Sequence, residues 1–101
     1  MDKILEEIKK ERWRQNAKFG EQNHNPVEWI AILSEEVGEA SKEAVDFHFQ
    51  YGLDGLRKEK RFSIMAGIQQ DRIQRLRKEL IQVAAVAVSI LESIDRNEAN
   101  F

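Results

Sequence analysis

The sequence contains no cysteine, which excludes a disulfide framework, a thiolate zinc site and a cysteine nucleophile. One proline and five glycines are too few for the many turns of a β-sandwich or a β-barrel. No stretch shows the two-residue alternation that is typical of a half-buried strand. These absences together predict an all-α fold.

Long apolar runs and a strong charge of one sign are also missing. The longest apolar run, Val83 to Val88, is far too short to span a membrane. The amphipathic start of the chain, Met1 to Glu7, has no apolar signal core. A formal net charge of −2 gives no electrostatic reason to bind nucleic acid. We therefore predict a cytoplasmic protein with neither a membrane nor a nucleic-acid partner.

The chain has 101 residues, of which 42% are hydrophobic, and we predict one domain over residues 1–101. Three segments have helical periodicity, at about residues 2–16, 25–51 and 68–96. The segment between the last two is rich in basic residues and poor in apolar anchors, and it reads as a connection up to Gly67. The fold class predicted is a helical bundle of three main helices.

The second predicted helix has clear end signals. Asn25 can cap it, Pro26 suits its first turn, and Glu28 follows three residues after the cap. Gly52, just past Tyr51, is the predicted stop. Spacings of three and four residues predict the following core face: Ile30, Leu33, Val37, Ala40, Ala44 and Phe47.

The third predicted helix points to self-association. Its segment from Val83 to Val88 is apolar on all sides, so it needs cover on every side. A helix of roughly 28 residues is about 42 Å long. A compact chain of this size is only about 34 Å across. We therefore predict that oligomerisation completes the bundle.

Carboxylates are clustered on the second predicted helix. At about 100° per residue, Glu36 and Glu39 project about 60° apart, and Glu35 and Glu39 about 40° apart. All three border the predicted core face. A solvated acidic face is the common explanation of such a pattern.

The third helix argues for a metal site instead. Glu79 lies just ahead of the all-apolar run, and Gln82 follows three residues later on the same side. A carboxylate at the edge of a buried segment is costly unless it is paired or binds a metal. Two helices with such groups can surround a hard cation with oxygen ligands. Because no soft ligand is present, Mg²⁺ or Mn²⁺ fits better than zinc.

These motifs resemble those of the MazG-like all-α nucleotide pyrophosphohydrolases, in particular the small phage- or cassette-type members. The pattern E-E-x-x-E occupies residues 35–39, and E-x-x-Q occupies 79–82, where the family usually has E-x-x-D. The wider context at residues 11–15, 22–24, 28–34 and 79–86 is similar as well. The resemblance covers nearly the whole chain apart from the basic connection.

The resemblance implies cleavage of nucleoside triphosphates to the monophosphate and pyrophosphate with Mg²⁺, by a homodimer or a dimer of dimers. It implies that Glu36, Glu39 and Glu79 hold the metal, together with Gln82. It also implies that Glu35 orients or deprotonates the attacking water. The amide of Gln82 can still bind Mg²⁺, but it supplies no charge and cannot act as a base.

Four further residues are candidates for substrate binding: Trp29, His24, Asn23 and Lys18. Trp29 could stack on a base while His24 or Asn23 reads its edge, or Trp29 could be core and His24 a surface residue. Lys18 could meet phosphates, as could the basic run at residues 57–61, which we expect to be solvated. No P-loop motif is present to bind phosphates. The alternative function is a non-catalytic helical oligomer that binds a nucleotide or a protein partner.

Overall fold

The computed structural model describes residues 1–49 and 58–98, with the backbone alone for residues 49 and 58–70. Nearly all of these residues are in three helices, α1 (Asp2–Phe19), α2 (Pro26–Phe49) and α3 (Lys58–Asn97). No strand occurs in the described ranges, so the predicted all-α fold is confirmed. In the same ranges, no helix is apolar over a length that could cross a bilayer.

Helix α2 begins with a reciprocal pair of capping hydrogen bonds. The backbone N–H of Glu28 donates to Asn25 Oδ1 over 2.8 Å, and the backbone N–H of Asn25 donates to Glu28 Oε1 over 3.1 Å. This capping box satisfies two donors that the first helical turn leaves unpaired. The predicted start of α2 is confirmed. Its predicted end at Tyr51 and Gly52 lies outside the described residues.

The predicted start of the third helix at Ile68 is wrong, because the chain is already helical at Lys58. The basic run and Gly67 suggest a connection in the sequence. Lysine, glutamate, arginine, methionine and alanine are nevertheless good helix formers, and one interior glycine costs only about 1 kcal/mol relative to alanine. With 40 residues, α3 is about 60 Å long at 1.5 Å per residue.

Helix α1 packs against α3 and runs parallel to it. Glu7, early in α1, forms a bidentate ion pair with Arg77. Arg12, further along α1, donates to Glu92 over 2.7 Å. Because later residues of α1 meet later residues of α3, both helices run in the same direction.

Helix α2 packs against another side of α3 in the opposite direction. The indole N–H of Trp29, in its first turn, donates to Ser93 Oγ over 3.2 Å. Asp46, near its end, pairs with Arg72 over 3.4 Å. In the described part of the chain, α3 packs against both other helices, which do not pack against each other.

The connection between α1 and α2 is fastened to the end of α3. Gly20 ends α1 with φ +73° and ψ −175°, a conformation that is nearly restricted to glycine. Arg96 donates to the backbone oxygen of Gln22 over 3.0 Å and to Asn23 Oδ1 over 3.1 Å. Asn97 also donates to Asn23 Oδ1, over 2.7 Å. These bonds fix the chain where α1 turns back into α2.

The predicted core face of α2 is wrong in part. Trp29 and Ala40 are buried, with 2% and 6% of their surface exposed, whereas Ile30 and Val37 are 55% and 45% exposed. Trp29 rather than Ile30 faces α3. Since α2 carries apolar residues on more than one side, a single chain covers only one stripe of them.

The single chain has a small core and an elongated shape. In the described part, the buried apolar residues are Trp29, Ala40, Ala85 and Val86. Val88 remains 36% exposed, so one chain does not provide the all-round cover expected for its apolar run. The molecule measures 62 × 28 × 23 Å and its radius of gyration is 17.9 Å, against about 13 Å for a compact chain of this length.

Candidate active site

Three of the predicted metal ligands lie close together where α2 crosses α3. Glu36 and Glu39 come from α2, one turn apart, and Glu79 comes from α3. One carboxylate oxygen of each lies within 4.8 Å of the others. The antiparallel packing of the two helices therefore brings together residues that are some forty positions apart in sequence. We call these three residues the carboxylate cluster.

Carboxylate oxygens in and beside this cluster are buried without hydrogen-bond donors. No donor from the described part of the chain reaches Oε2 of Glu36, Glu43 or Glu79. An unsatisfied buried polar atom is destabilising, and each such atom requires an explanation. Glu43 is not among the predicted ligands. Its spacing of four from Glu39 and seven from Glu36 is the signal that could have identified it.

The surroundings raise the pKa of two of these carboxyl groups. Burial is the main cause for Glu36, followed by the charges of Glu39 and Glu79. Burial is also the main cause for Glu79, followed by the charge of Glu39, a hydrogen bond with it, and the charge of Glu43. Each ionised carboxylate therefore makes it harder to ionise its neighbours. A bound cation would relieve this repulsion.

The residues fit a hard divalent cation. All the donors are carboxylate oxygens, which Mg²⁺ and Mn²⁺ prefer. Opposite oxygens in a magnesium octahedron are about 4.2 Å apart, twice the Mg–O distance of about 2.1 Å. The observed limit of 4.8 Å is slightly wider, so a small inward movement of the side chains would bring the three oxygens to distances that suit one such ion.

The other two residues of the predicted centre adjoin the cluster. Gln82 lies one turn beyond Glu79 and lines the same cavity as Glu36. Glu35 is exposed, and its charge contributes to the raised pKa of Glu36. Their assigned roles, as an amide ligand and as the residue that handles water, stay predictions.

A cavity of about 390 Å³ extends from Glu36 and Gln82 toward the connection between α1 and α2. Its apolar lining comes from Phe19 of α1, Trp29 and Ile32 of α2, and Val86 of α3. The other lining residues of α1 are Arg12, Arg14, Gln15 and Lys18, so this wall is mainly polar and basic. The volume is in the usual range for a small-molecule site.

The rings of Trp29 and His24 are in contact with each other beside this cavity. Trp29 lines the cavity but is only 2% exposed. The His24 ring lies nearly perpendicular to it, with 4.8 Å between ring centroids. A ligand in the cavity would meet only the small part of Trp29 that lines it. No hydrogen-bond partner for the buried His24 Nε2 is found among the described residues.

The remaining predicted substrate residues have different surroundings. Lys18 lines the cavity, with its Nζ 5.1 Å from the centroid of the Phe19 ring. The side-chain oxygen of Asn23 instead accepts hydrogen bonds from Arg96 and Asn97. The basic run at residues 57–61 lies outside the described side chains.

Helix α1 supplies cavity residues that were not among the predicted site residues. Arg14 and Gln15 line the cavity together with Lys18, and Glu11 binds Arg14. The spacing of residues 11, 14, 15 and 18 places all four on one face of α1. That pattern could have identified them, but a charged helix face is more often simply solvated.

Comparisons of the chain with protein-family models, with curated proteins and with solved structures give no match. The resemblance to the MazG-like enzymes therefore stays a prediction from the motifs.

Proposed function

We propose that the chain is a MazG-like, Mg²⁺-dependent nucleoside triphosphate pyrophosphohydrolase that releases nucleoside monophosphate and pyrophosphate. The observation that supports this most is the carboxylate cluster of Glu36, Glu39 and Glu79, of which Glu36 also lines a cavity of small-molecule size. The resemblance of the motifs at residues 35–39 and 79–82 suggests the reaction class.

The chemistry suits these residues. Phosphoryl transfer depends mainly on positioning and charge neutralisation. Divalent ions supply both and lower the pKa of bound water. The carboxylate cluster would hold the cation, with the amide oxygen of Gln82 beside it. Glu35 would accept a proton from the water as that water attacks phosphorus and the bridge between the α- and β-phosphates breaks.

We also propose a homodimer or a dimer of dimers, because a single chain leaves a large apolar surface exposed. A shallow groove between α2 and α3 is lined by six apolar residues and Ser41. The six are Val37, Ala40, Ala44, Leu76, Leu80 and Val83. Monomeric proteins rarely expose extended apolar patches. A second copy would bury this groove and cover the apolar run of α3.

Gln82 favours a second candidate function. Where the MazG-like enzymes usually have an aspartate, this chain offers an uncharged amide. A helical oligomer that binds a nucleotide or a protein partner without turnover would tolerate this loss of charge.

Turnover of a panel of nucleoside triphosphates with Mg²⁺ or Mn²⁺ separates the two functions. Chromatography of the products should show monophosphate and pyrophosphate in equal amounts. Glu39→Gln, purified in the same way, is the control for contaminating hydrolases and should be inactive. Release of orthophosphate with accumulation of diphosphate would refute the assignment, and no turnover of any nucleotide would favour the binding protein.

A further inference from the structure

The carboxylate cluster would repel an anionic ligand in the cavity. The basic residues of α1 that line the cavity can offset this repulsion. Glu36, which lines the cavity, belongs to the carboxylate cluster, and the charge of Glu43 adds to that of the cluster, so the cavity borders a strongly acidic site. A polyphosphate in the cavity would bring several more negative charges next to this cluster. Cationic groups on the opposite wall are therefore needed if such a ligand is to bind.

Arg14 on α1 has the right position for this task. It lines the same cavity as Glu36 and Gln82. The charge of Glu36 contributes to the raised pKa of Arg14, after the hydrogen bond and charge of Glu11. Arg14 therefore lies within electrostatic reach of the carboxylate cluster, although it comes from a different helix.

Glu11 holds the Arg14 guanidinium by one edge. Nε donates to Glu11 Oε2 over 2.8 Å and Nη2 donates to Oε1 over 2.6 Å. A guanidinium has five N–H donors. In the described part of the chain Arg14 has no other partner, so Nη1 and one N–H of Nη2 are available. The side chain is 54% exposed, which leaves it accessible to a ligand.

Arg12, which also lines the cavity, is not equivalent. Its Nε donates to Glu92 over 2.7 Å, and its side chain is only 14% exposed. That pair fastens α1 to α3. Arg14 is held by its own helix instead, so it can bind a ligand without releasing α1.

We propose that Arg14 binds the phosphate groups of a polyphosphate ligand in this cavity, with Glu11 as its positioning residue. The ligand class is a nucleoside polyphosphate, and inorganic tripolyphosphate shares the chemistry that is recognised. Lys18, four residues further along the same face, extends the basic wall. The inference rests on the proposed function for its choice of ligand.

Calorimetric titration of inorganic tripolyphosphate into the full chain with Mn²⁺ tests this without requiring turnover. Arg14→Gln should weaken binding roughly 10- to 100-fold, as expected for lost hydrogen bonds between charged groups. Arg14→Lys should recover part of the affinity, because the charge returns without the bidentate geometry. Mn²⁺ alone should bind both variants at least as tightly as the wild type, which separates a phosphate contact from a structural defect.

Arg75→Gln is the matched control. Arg75 is also 54% exposed and also pairs with an acidic residue of its own helix, Asp71, but it lies outside the cavity lining. This variant should bind tripolyphosphate as the wild type does. Equal weakening by both substitutions, or none by Arg14→Gln, overturns the proposal.

The outcomes also separate this proposal from the proposed function. If tripolyphosphate binds through Arg14 but no nucleotide is hydrolysed, the enzyme assignment fails and the binding role stands. If nucleotides are hydrolysed and Arg14→Gln keeps wild-type kcat and KM, the role of Arg14 fails and the enzyme stands. A wild type that neither binds tripolyphosphate nor hydrolyses nucleotides refutes both.

Discussion

The carboxyl group of Glu79 is partly buried beside Glu39 and Glu43, and these surroundings raise its pKa. The folded chain therefore binds this proton more tightly than the unfolded chain does. The resulting contribution to stability is full below the ordinary carboxyl pKa and is lost as pH rises through the raised pKa. The raised pKa of Glu36 changes stability with pH in the same direction. At neutral pH, these groups therefore destabilise the metal-free protein.

Glu79→Gln should raise the melting temperature of the metal-free protein at pH 7 and leave it nearly unchanged near pH 4, where wild-type Glu79 is protonated. Millimolar Mg²⁺ or Mn²⁺ should stabilise the wild type, by about 2.7 kcal/mol at a hundred times the Kd. The variant should lose most of that gain. Thermal denaturation with and without EDTA measures both effects, with Glu6→Gln on the exposed side of α1 as the control. If Mg²⁺ or Mn²⁺ does not change the melting temperature of the wild type, the proposed metal site is contradicted.

Glu35 is exposed beside the cluster, so water can reach its carboxylate. Glu35→Gln should lower kcat by about 10²- to 10⁴-fold, as expected for loss of a general base. Substrate and metal binding should stay largely intact. Glu36→Gln should instead impair metal-dependent binding as well. Steady-state kinetics with a parallel Mn²⁺ titration distinguishes the two, and identical defects would argue against separate roles.

Gln82 stands where the MazG-like enzymes that the motifs resemble usually have an aspartate. If its amide contacts the metal, Gln82→Asp should tighten Mn²⁺ binding and raise kcat, because it restores a negative ligand. An unchanged Mn²⁺ titration would place Gln82 outside the metal's coordination shell, for example as a hydrogen-bond partner of a ligating carboxylate.

The residues of the cluster could be predicted because carboxylates next to apolar stripes are unusual. Glu79 stood out for its position ahead of the apolar run, and the structure brings it to Glu36 and Glu39. Arg14 could not be predicted in the same way. A basic residue on a charged helix looks solvated until the neighbouring helices show that its face lines a cavity.

At the scale of the helices, two glycines make a contrasting pair. Gly20 ends α1 at φ +73°, so Gly20→Ala should destabilise the protein by about 1–3 kcal/mol through backbone strain. Gly38 lies inside α2 with no atom within 4 Å of an added Cβ. Gly38→Ala should therefore stabilise α2 by about 0.5–1 kcal/mol. Urea denaturation at one protein concentration measures both, and a Gly20→Ala variant as stable as the wild type would contradict the strained turn.

Local signals predicted where helices begin only when those signals were strong. The capping residues Asn25 and Glu28 bond to backbone N–H groups at the start of α2. Their spacing in the sequence therefore predicted where this helix begins. The sequence just before Lys58 carries no such capping signal, and the basic run there was predicted to be a connection. The buried side of α2 was also misjudged, because apolar residues on several sides leave the choice of face to packing.

For the molecule as a whole, a single chain buries few large side chains and leaves many exposed. Light scattering at micromolar concentration should therefore give a mass of at least twice the 11.8 kDa of one chain. Leu80→Glu should reduce that mass, because Leu80 is 51% exposed and lines the apolar groove. Val27→Glu is the control, since Val27 is 80% exposed and does not line the apolar groove. A folded wild-type monomer would refute the proposed assembly.

The attachment of α1 has a consequence for how the molecule folds. Its ion pairs with α3 join residues 70 and 80 positions apart, and in the described part α1 packs on α3 but not on α2. Closing so long a loop costs conformational entropy, which slows the formation of such contacts. The α2–α3 hairpin can therefore form first, with α1 docking late and opening early in local unfolding. A chain in which α1 has unfolded would keep the carboxylate cluster assembled between α2 and α3. It would lose the side of the cavity that carries Arg14.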